Sequence, residues 1–221
     1  MNDSSALRAI VFDLDGTLYV SDSFAASIHE AAAEYIAGLR RISRDEACLL
    51  MADVRCRLAG EIDLVPTLSA VCRELGGSIR DLHSLFEARL RPEAYLMRDQ
   101  RVIDLLLRLS GRCDLYLYTN NNRTLATRIL NYLGLDGIFR RIYTIDDSWQ
   151  AKPHADTIGR IVSDAGVTPA QALFVGDRYD VDLRLPEQLG CPVYLSQSVE
   201  QLLRLEELIG AAGDGAADRR R

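Results

Sequence analysis

Two aspartates, Asp13 and Asp15, stand two residues apart directly after the short apolar run Ala9–Phe12. This run is typical of a buried parallel strand, and side chains two positions apart on an extended chain project to the same side. We therefore expect both carboxylates at the carboxyl end of the strand, where open α/β sheets bind ligands. Neighbouring carboxylates repel unless a cation lies between them or one is protonated, and Mg²⁺ with an anionic substrate meets that requirement. The alternative is a turn whose aspartates only accept hydrogen bonds from backbone amides.

Two further polar residues follow later apolar runs. Thr119 comes directly after residues 113–118, and Asp177 comes shortly after residues 172–175. Both runs are typical of short parallel strands, whose carboxyl ends meet at one crevice of the sheet. We therefore expect Thr119 and Asp177 to lie beside the paired aspartates.

Lys152 is the only lysine among the 26 lysine and arginine residues of the chain. It precedes Pro153 at the start of a predicted helix, 153–165, where the helix dipole also favours anions. An ammonium group is a compact point charge, whereas a guanidinium is a planar fork. A single lysine in a chain that otherwise uses arginine therefore indicates a specific role, and chance retention is the alternative.

Together these residue types could transfer a phosphoryl group. Such chemistry needs an in-line nucleophile, a cation, donors around the non-bridging oxygens and a proton source for the leaving group. Asp13 could attack phosphorus and form an aspartyl phosphate, while Asp15 could protonate the leaving group and then activate water. Thr119 and Lys152 could bind the phosphate oxygens. A magnesium ion could be held by Asp13, the backbone carbonyl of Asp15 and Asp177.

The remaining elements must position these residues. Residues 19–94 have helical periodicity and predict an inserted all-helical domain. From about residue 98 onward, helices alternate with short apolar strands, which is the pattern of βαβ units. We therefore expect an α/β fold in which residues 1–18 and 95–209 form a Rossmann-like parallel sheet core, with the small helical domain inserted after the first strand. Residues 210–221 are small, polar and charged and are expected to form a disordered tail.

Composition limits the partners and the compartment. The net charge of −6 disfavours a nucleic acid polymer, and no apolar stretch is long enough to predict a membrane span. The N-terminus lacks the features of a secretory signal, and the five cysteines form an odd set without paired short spacing. We therefore expect a cytoplasmic protein with reduced thiols, as a monomer or a homodimer, that acts on a small phosphorylated metabolite.

Four ordered segments resemble the motifs of the haloacid dehalogenase superfamily. They are Asp13-Leu-Asp-Gly-Thr17, Tyr118-Thr119-Asn120, Lys152-Pro153 and Gly176-Asp-Arg-Tyr-Asp-Val-Asp182. The resemblance spans about residues 8 to 196. It implies a Rossmann-like core, a helical (C1-type) cap inserted after the first motif, and Mg²⁺ as the cofactor.

The resemblance also implies roles for individual residues. Asp13 would be the nucleophile and Asp15 the acid/base. The implied phosphate contacts are the side chains of Thr119 and Lys152 and the backbone amides of Leu14, Asp15 and Asn120. Asp177 would bind Mg²⁺, and Asp182 would support the metal or Lys152. Asp180 is a second candidate for this last position, because relatives also show a shorter spacing.

Within the superfamily the residues favour a phosphatase. Asp15 counts against carbon–halogen cleavage, because dehalogenating members lack an acid there. Residues 19–97 contain no lysine that could form the Schiff base used in phosphonate hydrolysis. A phosphomutase activity is an alternative that these residues do not exclude. A non-catalytic binding module is disfavoured, because such a protein gains nothing from two adjacent, mutually repelling acids.

A weaker resemblance to pyrimidine 5′-nucleotidase-like members suggests a nucleoside 5′-monophosphate as the substrate, with sugar phosphates as the alternative. Tyr19, Phe24 and Arg57 would then lie near the base or sugar. The alternative for Tyr19 and Phe24 is a purely structural role at the hinge and in a helix core, and this alternative is favoured.

Overall fold

A parallel β-sheet forms the centre of the described chain, residues 6–62 and 65–214 of this computed structural model. Its five strands are β1 Ala9–Phe12, β2 Asp114–Tyr118, β3 Arg141–Tyr143, β4 Ala172–Gly176 and β5 Val193–Leu195. Their spatial order is β3-β2-β1-β4-β5. The chain therefore builds one half of the sheet and then crosses to the other side of β1, so the topological switch point lies between β1 and β4. The predicted Rossmann-like α/β fold is confirmed.

Strand β1 is buried on both faces. Ile10 and Phe12 pack into one hydrophobic cluster, and Ala9 and Val11 pack into the cluster on the opposite face. Burial on both sides explains why this strand is an uninterrupted apolar run rather than an alternating one. The polar chain resumes only at Asp13, where the strand ends.

Helices between β1 and β2 make up a helical segment, defined here as residues 19–94. They are α1 Asp22–Arg40, α2 Arg44–Ile62, α3 Leu68–Glu74 and α4 Ile79–Arg89. The sequence Ser43-Arg-Asp-Glu46 predicts a capping box at the start of α2. The box is present, because Ser43 N donates to Glu46 Oε2 at 2.8 Å and Glu46 N donates to Ser43 Oγ at 3.3 Å. Phe24, Ile36 and Leu82 from this segment belong to the same buried cluster as the sheet residues Ile10 and Phe12.

Six further helices follow the helical segment in the described part of the chain. They are α5 Gln100–Ser110, α6 Arg123–Leu133, α7 Ala155–Ala165, α8 Arg184–Gln188, α9 Val199–Leu203 and α10 Leu205–Asp214. Helix α10 extends into the segment 210–221 that the sequence predicts as a tail, and residues 215–221 lie outside the described residues. None of the helices described is both long and apolar enough to cross a membrane.

Two element boundaries differ from the sequence prediction. The sequence of residues 141–145 predicts a strand. The strand instead ends at Tyr143, because Ile145–Asp147 form a 3₁₀ turn in which the Asp147 carboxylate accepts a hydrogen bond from the backbone amide of Thr144. The sequence of residues 181–189 predicts a short helix. The α-helix covers only Arg184–Gln188, and the residues before it form the wider π-helical segment Tyr179–Leu183. Such π turns occur frequently at functional sites, and this one lies directly after β4.

Candidate active site

Lys152 brings together residues from distant parts of the chain. Its Nζ donates to Asp13 Oδ1, to Asp182 Oδ1 at 2.7 Å and to the backbone oxygen of Tyr118 at 2.8 Å. Its backbone N–H donates to Asn120 Oδ1 at 2.8 Å, which fixes the loop before α7 against the end of β2. The side chains of Lys152, Asp13 and Asp182 are at most 5% exposed. A buried ammonium thus has both of its charge partners within hydrogen-bond reach.

Three carboxylates form a cluster at the switch point. One oxygen from each of Asp13, Asp177 and Asp182 lies within 4.8 Å of the other two. Asp177 Oδ1 is buried and has no hydrogen-bond partner within the described residues. A buried carboxylate oxygen without a donor is costly unless a cation lies nearby. Hard oxygen ligands at this spacing fit a divalent cation such as Mg²⁺.

Two glycines permit the acidic side chains to approach the backbone. Gly16 has φ +86°, and a Cβ on it would lie 2.5 Å from Asp177 Oδ2. A Cβ on Gly176 would lie 2.4 Å from the Cβ of Asp182. Neither position has room for a larger side chain without displacing an acid of the cluster.

Asp15 has a different environment from Asp13. Its Oδ1 accepts a hydrogen bond from the Tyr19 hydroxyl, and its Oδ2 accepts one from Asn121 Nδ2 at 2.7 Å. The Asp15 side chain is not part of the three-carboxylate cluster. The two predicted acids therefore come from one turn but have separate partners.

The remaining predicted phosphate contacts lie at the ends of β1 and β2. Thr119 is buried, and its Oγ1 accepts a hydrogen bond from Asn121 N at 3.1 Å. Strand register pairs Phe12 with Leu117, so Leu14 and Thr119 leave neighbouring strands at the same level. The Leu14 side chain is fully buried, which leaves its backbone as the part that could contact a ligand.

The structure distinguishes the two candidates for the closing acid of the fourth motif. Asp182 accepts from Lys152 and from Arg178 N, the latter at 3.1 Å. Asp180 instead lies 3.6 Å from Arg184 and is not part of the cluster. The backbone N–H of Asp182 donates to the Arg178 carbonyl at 2.8 Å, and the Asp182 side chain is buried whereas that of Asp180 is only half-buried.

Burial and mutual repulsion alter the titration of the cluster. Burial raises the pKa of Asp13 to about 8, although Lys152 opposes the shift, and burial together with the charge of Asp182 raises the pKa of Asp177 to about 6. Burial alone would lower the pKa of Lys152, but Asp13 and Asp182 outweigh it and keep that pKa above its ordinary value. The carboxyls of Asp13 and Asp177 thus keep their protons to a higher pH than free aspartates do, and added positive charge would lower both pKa values.

Sequence reasoning missed several contacts around the site. Tyr19 was favoured as a purely structural residue, yet its hydroxyl donates to Asp15, while its ring also packs 6.2 Å from Phe24. Asn121 follows Thr119 by two residues, and this closeness to a predicted site residue was the signal in the sequence that Asn121 could also contact the site. Arg57, suggested as a substrate contact, lies 2.6 Å from Glu74.

Helix α4 also contacts the loop that carries Lys152. The Trp149 ring lies 6.4 Å from the ring of His83, and the guanidinium of Arg80 lies 4.7 Å from the centre of the Trp149 ring. Asn122 Nδ2 donates to the His83 carbonyl at 2.9 Å. The helical segment is thereby attached to two of the loops that form the site.

Comparison with known proteins agrees with this geometry. The family model described as haloacid dehalogenase-like hydrolase matches residues 7–190. The chain is 28% identical over 181 residues to pyrophosphatase PpaX of Bacillus pumilus, covering 81% of this chain and 78% of that protein. It is 29% identical over 211 residues to phosphoglycolate phosphatase of Salmonella typhi, covering 87% and 82%.

Solved structures share the fold. A HAD phosphatase from Thermococcus onnurineus superposes with a TM-score of 0.59 at 18% identity, covering 92% of this chain and 98% of that one. The family match covers most of the chain and contains every residue of the acidic cluster together with Lys152. The chain is therefore an enzyme that belongs to the haloacid dehalogenase-like hydrolases.

Proposed function

We propose that this hydrolase is a Mg²⁺-dependent phosphomonoesterase that works through an aspartyl phosphate. The observation that carries the proposal is the division of the two aspartates. Asp13 lies between the only lysine of the chain and the two other acids of the cluster, while Asp15 is held apart by Tyr19 and Asn121. A nucleophile and a separate proton donor are what two-step phosphoryl transfer requires.

The reaction follows from these positions. A carboxylate oxygen of Asp13 attacks phosphorus, the bond from phosphorus to the leaving oxygen breaks, and Asp15 gives that oxygen a proton. Asp15 then removes a proton from a water molecule, whose oxygen attacks phosphorus and releases inorganic phosphate from Asp13. Lys152 and Thr119, with the backbone amides of Leu14, Asp15 and Asn120, bind the phosphate oxygens throughout.

Residues Asp13, Asp177 and Asp182, with the Asp15 carbonyl, are the groups proposed to hold or support Mg²⁺. When bound, this ion offsets the charge of the acids and of the phosphoryl oxygens. The Asp177 oxygen without a hydrogen-bond donor supports this assignment, as does the burial that raises the pKa of Asp13, since a bound cation would compensate both.

We propose a small phosphorylated metabolite as the substrate. Relatives named phosphoglycolate phosphatase and pyrophosphatase support a small substrate of the sugar-phosphate class more than a nucleoside 5′-monophosphate. The proposed nucleotidase-like specificity keeps less support, because Phe24 lies in the core and Arg57 is paired with Glu74. A phosphomutase and a non-catalytic binding module are the outcomes that the experiment below separates from this proposal.

The domain organisation, compartment and oligomeric state are also proposals. We infer that residues 19–94 form the cap, that residues 1–18 and 95–209 form the core, and that the protein acts in the cytoplasm as a monomer or homodimer. The five cysteines support a reducing compartment, since all are free.

The test is hydrolysis of p-nitrophenyl phosphate with Mg²⁺ and with a chelator. The Asp13→Asn variant should lose activity by about 10³-fold or more, because the amide is not a nucleophile. Asp180→Asn is the matched control and should keep wild-type activity, since Asp180 lies 3.6 Å from Arg184 and is not part of the acidic cluster.

Phosphate release at the wild-type rate by Asp13→Asn would refute the assignment of Asp13 as the nucleophile. No turnover of any phosphomonoester would favour the binding module, and return of the phosphoryl group to a second substrate hydroxyl would favour the mutase.

A further inference from the structure

Tyr118 makes a second contact with Lys152 that the reaction described above does not use. The Lys152 Nζ lies 5.0 Å from the centre of the Tyr118 ring, in addition to the 2.8 Å hydrogen bond that it donates to the Tyr118 carbonyl. A cation within about 6 Å of an aromatic ring centre is attracted by the negative charge of the ring face. One residue of β2 therefore holds the ammonium through both its backbone and its side chain.

Both partners of this contact are shielded from water. Lys152 is 3% exposed and Tyr118 is 6% exposed. A cation–π contact is stronger when the groups are desolvated. In three other contacts of this kind among the described residues the cation is an arginine that is exposed or half-buried; they are Arg80 with Trp149, and Arg141 and Arg160 with Tyr143. The pair at the active site is therefore the most strongly desolvated of the four.

The Tyr118 ring differs in charge from the other side chains that hold the ammonium. Nζ also donates to the carboxylates of Asp13 and Asp182. In the proposed reaction a bond forms between Asp13 and phosphorus and later breaks, so the contact between Asp13 and the ammonium changes during every turnover. The ring and the carbonyl of Tyr118 carry no net charge and take no part in bond making. Their contacts with the ammonium can therefore stay constant while its anionic partners change.

We propose that the Tyr118 ring is a positioning residue for Lys152, which holds the ammonium against the phosphoryl oxygens while the bond to Asp13 forms and breaks. This inference rests on the proposed phosphatase function and adds a residue to it. Tyr118 acts only through Lys152. Because Tyr118 also belongs to the buried cluster that contains Val11 and Tyr143, packing alone is the alternative role that the test must separate.

The test alters the charge of the ring face and leaves the size of the ring almost unchanged. Tyr118→Phe keeps the ring, and the same position then receives phenylalanine with one, two or three fluorine atoms on the ring. Fluorine withdraws electrons from the ring face and weakens its attraction for a cation step by step. Tyr116 is the matched control. It lies two positions earlier on β2, is buried in the same cluster, and its ring packs 6.5 Å from that of Tyr143.

Two quantities are measured for both series, kcat/KM for p-nitrophenyl phosphate with Mg²⁺ and the free energy of unfolding. Tyr118→Phe should keep kcat/KM within about threefold of the wild type, because the ring face is retained. With each added fluorine at position 118, kcat/KM should fall further, by about tenfold over the whole series, since the ammonium is held less firmly. The free energy of unfolding should decrease in the same order. The Tyr116 series should show no stepwise change in either quantity.

If kcat/KM does not depend on fluorination at position 118, or falls equally at position 116, the inference is overturned and the proposed phosphatase function stands. A stepwise decrease in the free energy of unfolding alone would also overturn it, because the contact would then only stabilise the fold. A large loss of activity already in Tyr118→Phe would assign the role to the hydroxyl instead of the ring. Failure of the wild type to hydrolyse any phosphomonoester would count against the proposed function itself, and with it against this inference.

Discussion

At the scale of single residues, the environment of each carboxylate matters more than its position in the sequence. Asp13 and Asp15 belong to one turn, but Asp13 contacts a buried ammonium and Asp15 contacts a phenol and an amide. Pairs of acids divide their work in this way when their surroundings differ. The Tyr19 hydroxyl is therefore expected to affect the chemistry through Asp15.

Tyr19→Phe tests this expectation. The variant removes the donor to Asp15 but keeps the ring that packs against Phe24. A hydrogen bond to a charged group contributes about 1.5–3 kcal/mol, so we expect kcat to fall by about tenfold with little change in KM. Steady-state kinetics with p-nitrophenyl phosphate measure both constants. Tyr194→Phe is the control, because its hydroxyl donates to the Gln201 carbonyl at 2.7 Å instead of to an acid of the site. Unchanged kcat in Tyr19→Phe would show that Asp15 does not need this contact.

At the scale of elements, the turn after β1 and the end of β4 depend on each other. Gly16 adopts φ +86°, and its missing side chain leaves the space that Asp177 occupies. The first and fourth motifs are thus in direct contact although 160 residues separate Gly16 from Gly176. A substitution in the first should therefore damage the acid supplied by the second.

Gly16→Ala is expected to displace the Asp177 carboxylate and weaken Mg²⁺ binding. Activity should require a Mg²⁺ concentration about tenfold higher or more, because one ligand of the ion is misplaced. Titration of activity against Mg²⁺ measures this shift. Gly38→Ala is the matched control. Gly38 lies on helix α1, and a Cβ on it would have no atom within 4 Å. Its free energy of unfolding should rise by about 0.5–1 kcal/mol with no change in Mg²⁺ requirement. An unshifted Mg²⁺ titration in Gly16→Ala would contradict the coupling.

The elements also show what the sequence could and could not predict. Strands and helices were predictable because burial imposes a periodicity, as in Ala9–Phe12, and because local hydrogen bonds define caps such as that of Ser43. The contact between Asn121 and Asp15 joins residues 106 positions apart, so no local pattern contains it. Asp182, and not Asp180, accepts a hydrogen bond from Lys152. Asp182 lies in the π-helical segment, and its contact with Lys152 is again a tertiary one that no local pattern contains.

At the scale of the whole molecule, unbalanced charge at the site links stability to pH and to metal. In the metal-free protein burial raises the pKa of Asp13 from 3.8 to about 8 and that of Asp177 from 3.8 to about 6. The folded state therefore holds protons that the unfolded chain has already lost. The stability associated with these protons is complete below the unfolded pKa and disappears as the pH rises through the folded values.

Because of Asp13 and Asp177, we expect the Tm measured in the presence of a chelator to be lower at a pH of about 8 than at a pH of about 5. Saturating Mg²⁺ should raise the Tm by about 5 °C near pH 8 and by much less near pH 5, because metal ligands must be deprotonated. Thermal unfolding with Mg²⁺ and with chelator at both pH values measures the effect. Asp177→Asn should remove most of the Mg²⁺ shift, whereas Asp180→Asn should retain it. An equal Mg²⁺ shift at both pH values would contradict the proposed ligand set.

The contact between α4 and the loop before Lys152 involves Trp149, which is the only tryptophan of the chain. The indole emission of the native protein therefore comes from a single position. That position contacts the helical segment through Arg80 and His83 and precedes Lys152 by three residues. The unmodified enzyme consequently carries its own fluorescent reporter, and we expect its intensity and wavelength to change if α4 separates from the loop.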